Sequence, residues 1–174
     1  DSGQPARDDV YRSVYSLRYR NGNTPFVVSE LFAIDNTKPE IEVDVTRYLI
    51  SPNGDGRIED TNIWFTSNEI VTWSGEITGP DGGVVVATDS TRTTSLIVWR
   101  GWDTSGDRVA DGTYTLNARF TDVAGNTYHI PPEEIEVDAT SPEVTFSIDK
   151  DYFSPDGDGS KDTLIATFTS TEPV

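Results

Sequence analysis

Residues 40–67 read EIEVDVTRYLISPNGDGRIEDTNIWFTS. "EIEVDVT" (40–46) alternates apolar and polar side chains, the period of a strand with one face on a core. "TNIWFTS" (61–67) reads as a second strand. Between them "SPNGDGRIE" (51–59) is a tight, acidic loop broken by two glycines. The pattern is strand, loop, strand, with no stretch of helical length.

The same grammar continues downstream. "IVTWSGEIT" (70–78) predicts a strand, and "GPDGG" (79–83) a hairpin turn of residues that set or tolerate unusual φ. "VVVATD" (84–89) and "SLIVWRGW" (95–102) predict two more strands, followed by a polar loop, "DTSGDRVADG" (103–112). "TYTLNARFTD" (113–122) places Tyr114, Leu116, Ala118 and Phe120 on one face. "DVAGN" (122–126) is a tight turn, and "EEIEVD" (133–138) a closing strand. Short strands with turn signals every 8 to 12 residues predict an all-β, antiparallel β-sandwich.

Composition agrees. Of the 174 residues 34% are hydrophobic and 10% aromatic, so a core must lean on aromatic and β-branched side chains. The net charge of −17 repels phosphate backbones and anionic lipid, which argues against nucleic acid as a partner. It suits hard cations that take oxygen ligands, and it also serves plain solubility. Cys is absent, which rules out disulfides, thiolate metal sites and Cys nucleophiles. No run approaches the ~18 apolar residues of a membrane-spanning helix, and the first residues do not read as a signal peptide.

The chain repeats itself. "DNTKPEIEVDV" (35–45) aligns with "DATSPEVTFSI" (138–148), and Pro39 falls on Pro142, an offset of 103 residues. The same offset carries Ser51-Pro52 onto Ser154-Pro155. It carries Asn53, Asp55, Gly56 and Glu59 onto Asp156, Asp158, Gly159 and Asp162, and "FTSNE" (65–69) onto "FTSTE" (168–172). "NTPFVVSELFAID" (23–35) likewise matches "NTYHIPPEEIEVD" (126–138), preceded by "YSLRYRNG" as a shortened form of "YTLNARFTDVAG". Residues 1–34 are therefore expected to be the last hairpin of one module, 35–137 a complete module, and 138–174 the opening strands of a third. The chain then begins and ends in mid-module, as a piece of a longer array. The two flanks are expected to expose edges and apolar faces and to pack together as a second sandwich, within one chain or as a strand-exchanged dimer. The junctions "AIDNTKPE" and "VDATSPE" carry a Pro that fixes φ and stops strand pairing, giving a stiff linker.

The two acidic loops have the rhythm of a cation site. Numbered from Ser154, oxygen side chains fall at positions 1, 3, 5 and 9 (Ser154, Asp156, Asp158, Asp162), with Gly159 at position 6 and the Ser160 carbonyl at position 7. The first copy offers Ser51, Asn53, Asp55, the Arg57 carbonyl and Glu59, with Ile58 at the position expected to anchor to the core. Alternate residues aimed at one centre, with Gly at the sharp turn, resemble an EF-hand loop and point to Ca²⁺. The loops lack an Asp at position 1 and a bidentate Glu at position 12, which predicts weak binding, Kd about 10⁻⁴ to 10⁻³ M. An Asx-rich surface turn without metal has the same sequence pattern. Asp35, Asp138 and Asp122 are further candidate ligands near the junctions.

"SPNGDGRIEDT" and "SPDGDGSKDT" resemble the FSPNGDG-x-x-DT opening of bacterial Ig-like modules, including gliding-motility-associated C-terminal domains. "WRGWDTSGDRVADGTYTLNARFTDVAGN" (99–126) is similar to the FlgD-type Ig-like signature, W-x-G-x-D-x-x-G, then DG-x-Y, then D-x-x-GN. The resemblance implies an Ig/fibronectin-like sandwich in an extracellular, cell-surface or periplasmic protein, with no catalysis of its own.

His129 stands alone and is expected at the surface or in packing, since one His makes neither a zinc site nor a triad. Trp64 and Trp73 are expected in the core, and Trp99 and Trp102 at its edge. An exposed, coplanar aromatic patch would instead mark a carbohydrate-binding module of a secreted hydrolase. The leading expectation is a non-catalytic, Ca²⁺-binding structural or adhesive repeat whose partners are neighbouring modules and a protein or glycan ligand. A scaffold domain for envelope assembly is a third reading.

Overall fold

The computed structural model describes residues 3–172 and divides into two compact units after Ala139. Among the described residues there is no helix, hence none long and apolar enough to cross a membrane. The protein is all-β, with several sheets.

The first unit opens on a nested hairpin: β1 (Asp9–Tyr11), β2 (Val14–Ser16), β3 (Phe26–Val28) and β4 (Phe32–Ile34), with β1 antiparallel to β4 and β2 to β3. A larger network follows: β5 (Ile41–Val45), β6 (Leu49–Ile50), β7 (Thr61–Thr78), β8 (Val84–Trp99), β9 (Gly112–Asp122), β10 (Thr127–His129) and β11 (Glu133–Val137). β5 and β9 both pair with β7, which also pairs with β8, while β9 pairs with β10 and β11. Among the described residues only β6 and β11 run parallel. The second unit holds one hairpin, β12 (Val144–Ile148) and β13 (Ala166–Ser170).

β7 and β8 are continuous where the sequence reads two strands each. No Gly or Pro interrupts residues 66–71, so the chain bends there without breaking, and the register against β8 shifts between Thr66 and Val71. Phe65 and Trp73 are eight residues apart, about 26 Å along a straight strand. Their ring centroids are 5.1 Å apart, so β7 turns back on itself. β5 pairs with its first half and β9 with its second. Alternate residues on both halves (Ile63, Phe65, Val71, Trp73, Ile77) are buried in one core, with Leu116, Phe120, Ile135 and Val137 opposite. Each such side chain contributes about 1.5–3 kcal/mol by leaving water.

Trp64 points the other way. It occupies an even position between the buried Ile63 and Phe65 and is 42% exposed, so the expectation that it lies in the core is corrected by strand alternation. Trp73 is buried as expected; Trp99, expected at the edge, is buried too, while Trp102 is 47% exposed.

The strand pairings repeat at the 103-residue offset. Ile41 opposes Ser67 and Val45 opposes Ile63, just as Val144 opposes Ser170 and Ile148 opposes Ala166. Asp9 opposes Ile34 and Ser16 opposes Phe26, just as Gly112 opposes Val137 and Arg119 opposes His129. The Tyr11 hydroxyl donates to the Arg7 carbonyl (2.9 Å), and the Tyr114 hydroxyl to that of Ala110 (2.7 Å). Tyr11, not Tyr15, is therefore the counterpart of Tyr114, and the first hairpin is not shortened. The turn settles the alignment: Gly22 N–H donates to Tyr19, as Gly125 N–H does to Asp122.

Candidate metal sites

The two acidic loops share one backbone. Ser51 N–H donates to the Ile58 carbonyl at 2.8 Å, and Ser154 N–H to that of Lys161 at 3.0 Å. Both closures need a left-handed residue, Ile58 (φ 44°) and Lys161 (φ 60°). That conformation turns Ile58 outward, 43% exposed, so it does not anchor the loop. The anchors are Ile50 and Pro52, both fully buried. Gly101 admits Pro52, since a Cβ there would lie 2.6 Å from the Pro52 Cγ.

Each acidic side chain first serves the loop itself. Asn53 Oδ1 accepts from Asp55 N–H, and Asp55 Oδ1 from Arg57 N–H; Asp156 Oδ1 and Asp158 Oδ1 do the same for Asp158 and Ser160. Glu59 Oε1 accepts from Gly56 N–H. Asp162 spends both oxygens, on Gly157 and Gly159. These bonds are Asx-turn geometry, which explains the shape without a ligand. Carboxylate oxygens have further lone pairs, and Asp156, Asp158 and Asp162 bring oxygens within 4.8 Å of one another. The first loop holds Asn53 in place of the first of these acids, so it gathers less charge. Ser51 is half-buried beside it, and Ser154 Oγ lies 3.4 Å from Asp156 Oδ2.

A second cluster forms at the linker. Asp35, Glu69 and Asp122 bring carboxylate oxygens within 4.8 Å of one another. The sequence pointed to Asp35 and Asp122; it missed Glu69, which the bend of β7 delivers. Asp138 is exposed and outside this cluster. Asp122 is buried and held in place: Oδ1 accepts from Ala124 N–H and Asn126 N–H, and Oδ2 from Asn126 Nδ2, each at 2.8 Å. Burial alone would raise its pKa, but these bonds stabilise the anion and leave it below the usual value. Glu69 shifts upward through burial, then through the charges of Asp122 and Asp35. Three carboxylates so placed repel one another, and a cation removes that repulsion.

The linker is gripped from both sides. Asn126 Nδ2 donates to the Asp35 carbonyl at 3.2 Å, and Thr37 N–H to Asp35 Oδ1 at 3.0 Å. From the preceding hairpin Asp8 accepts from Asn36 N–H (2.8 Å), Asn36 Nδ2 (2.7 Å) and the Thr37 hydroxyl. Those bonds, Thr37 first, pull the Asp8 pKa down. His129 is exposed on β10, opposite Arg119.

No family model and no curated protein matches the chain. Among solved structures it is similar to part of dimeric latent PorU from Porphyromonas gingivalis, with a TM-score of 0.48 at 12% identity, over 78% of this chain. The chain spans 13% of that protein's length, and a likeness so distant has no bearing on site or function.

Proposed function

We propose that the chain is a non-catalytic structural repeat of an extracellular or cell-surface protein, built from tandem Ig-like sandwiches and stiffened by Ca²⁺. The sandwich reading is supported by the return of β7 across the core and by the Tyr114 hydroxyl bonded four residues upstream, as in the tyrosine corner of Ig-like domains. The repeat reading is supported by strand registers that recur at one offset. The FSPNGDG-like loops and the FlgD-type signature add the bacterial resemblance.

The observation that carries the metal reading is the junction triad. Two oxygens on one Ca²⁺ at about 2.4 Å lie no more than about 4.8 Å apart, and the Asp35, Glu69 and Asp122 oxygens meet that limit. The loop of Asp156, Asp158 and Asp162 meets it too. An ion at the triad would tie the linker, through Asp35, to the bend of β7 and the β9–β10 turn. Ca²⁺ binding to the folded state then stabilises it by mass action and fixes the linker. Calorimetric titration tests this: Ca²⁺ is expected to bind, Mg²⁺ weakly, with Asp122→Asn removing the junction site and Asp158→Ala the loop site. No heat with Ca²⁺ in the unmodified chain would overturn the reading.

A carbohydrate-binding role has one observation in its favour: Trp64 is exposed beside Glu42, Asp44 and Thr66. A glycan screen in which binding is lost with Trp64→Ala would favour it.

A further inference from the structure

The chain holds two Asn-Gly pairs, Asn21-Gly22 and Asn53-Gly54. Their local structures match closely. Each Asn accepts at Oδ1 from the N–H two residues on, Asn21 from Asn23 at 3.1 Å and Asn53 from Asp55 at 2.9 Å. Each Gly is left-handed, at φ 86° and 89°. The pairs differ at one atom. Gly22 N–H donates to the Tyr19 carbonyl at 3.1 Å, whereas Gly54 N–H meets no acceptor among the described residues.

The second acidic loop shows what Gly54 lacks. There Asp162 holds both glycine amides, Gly157 at 3.0 Å and Gly159 at 2.8 Å. Glu59 stands at the same place in the first loop and bonds Gly56 alone, at 2.9 Å. Gly54, the counterpart of Gly157, is left with its amide free. Its nitrogen can therefore act as a nucleophile on the neighbouring side chain. Nothing lies within 4 Å of where a Gly54 Cβ would stand, so the approach is open. The bond from Asp55 N–H also polarises the Asn53 carbonyl and makes Cγ more electrophilic.

We propose that Asn53 is a site of spontaneous deamidation, closing through the Gly54 nitrogen. The bond from Gly54 N to Asn53 Cγ forms and the Cγ–Nδ2 bond breaks. The Gly54 amide proton leaves with the departing nitrogen as ammonia. Water then opens the cyclic imide. Opening at Cγ gives aspartate on an unchanged main chain; opening at the backbone carbonyl gives isoaspartate, with one more methylene in the main chain. Either product adds a negative charge beside Asp55 and Glu59. The aspartate product gives the first loop the acid that its counterpart holds at Asp156. The charge of this loop is thus set by the age of the protein as well as by its sequence. The proposal is independent of the metal reading.

Peptide mapping by mass spectrometry tests this, on the full chain aged in mildly alkaline buffer with EDTA. The amide-to-acid mass gain is expected at Asn53 roughly two- to tenfold faster than at Asn21, the factor that one hydrogen bond on the attacking nitrogen supplies. Accessibility alone predicts the opposite order, since Asn21 is exposed and Asn53 half-buried. Glu59→Asp, which restores the short acid of the second loop, should slow conversion at Asn53 and leave Asn21 unchanged. Gly54→Ala should slow it further. In urea both glycine amides are free, and the two rates should converge. Equal or faster conversion at Asn21 in the folded chain, a rate at Asn53 unmoved by either variant, or a difference kept in urea would overturn the proposal.

Discussion

Residues 41–67 and 144–170 have the same strand register, the same loop closure and the same left-handed residue, yet opposite burial. Phe65 is 2% exposed and its counterpart Phe168 is 67% exposed. Hairpin register and Asx-turn shape are local properties, written by alternation, glycines and short acidic side chains. Burial is not local. It comes from residues 72–137, which return across the first hairpin and have no counterpart in the second unit.

The sharpest way to break that comparison is to truncate both phenylalanines. Phe65→Ala should cost about 3–5 kcal/mol, because it opens a cavity against Trp73 and Phe120. Phe168→Ala, which loses chiefly a ring contact with Phe146, should leave the main unfolding transition within about 0.5 kcal/mol. Urea denaturation of the two variants checks this, and equal losses would contradict the account.

Next in size is Gly101→Ala, expected to cost about 3 kcal/mol, since the new Cβ meets Pro52 at a position with φ 65°. Gly157→Ala, in the open second loop at φ 85° with nothing near the new Cβ, should cost less, about 1–2 kcal/mol from backbone strain alone. Smaller again is Tyr114→Phe, which should lose about 1 kcal/mol with its 2.7 Å bond, while Tyr11→Phe on the exposed hairpin should lose less. Thermal melts rank these variants.

The junction also predicts a pH signature without metal. Glu69 has a raised pKa in the folded state, so its charge is a burden above that value, and stability rises as pH falls through it toward 4.5. Asp122 has a depressed pKa, so its contribution is present above 3.8 and is lost as pH falls through the folded value. Stability in EDTA should therefore pass through a maximum in the acid range. Glu69→Gln should remove the rising limb, and saturating Ca²⁺ should flatten it.

Much of this was legible in the sequence. Period-two alternation placed β5, β9 and β11, and the repeated acidic loop placed the loop residues. Asp35 and Asp122 were legible from their positions at the linker and the turn. Three things were not. The continuity of β7 depends on a bend that alternation alone does not reveal, and the bend is what brings Glu69 to the junction. Trp64 looked like core by residue type, but parity sends it outward. Ile58 looked like an anchor, but loop closure requires it left-handed, and that conformation turns it to solvent. In each case a backbone constraint overrode side-chain preference.

The most direct test of the central claim is a thermal melt in EDTA, repeated with millimolar Ca²⁺ and then millimolar Mg²⁺. A site filled to tenfold its Kd adds about 1.4 kcal/mol, which for a domain of about 100 residues raises Tm by roughly 6–10 °C. The account predicts such a rise with Ca²⁺, little with Mg²⁺, and a clear reduction of the rise in Asp122→Asn. Identical melts in EDTA and Ca²⁺ would contradict it, leaving the acidic loops as Asx turns and the junction triad as mutually repelling carboxylates.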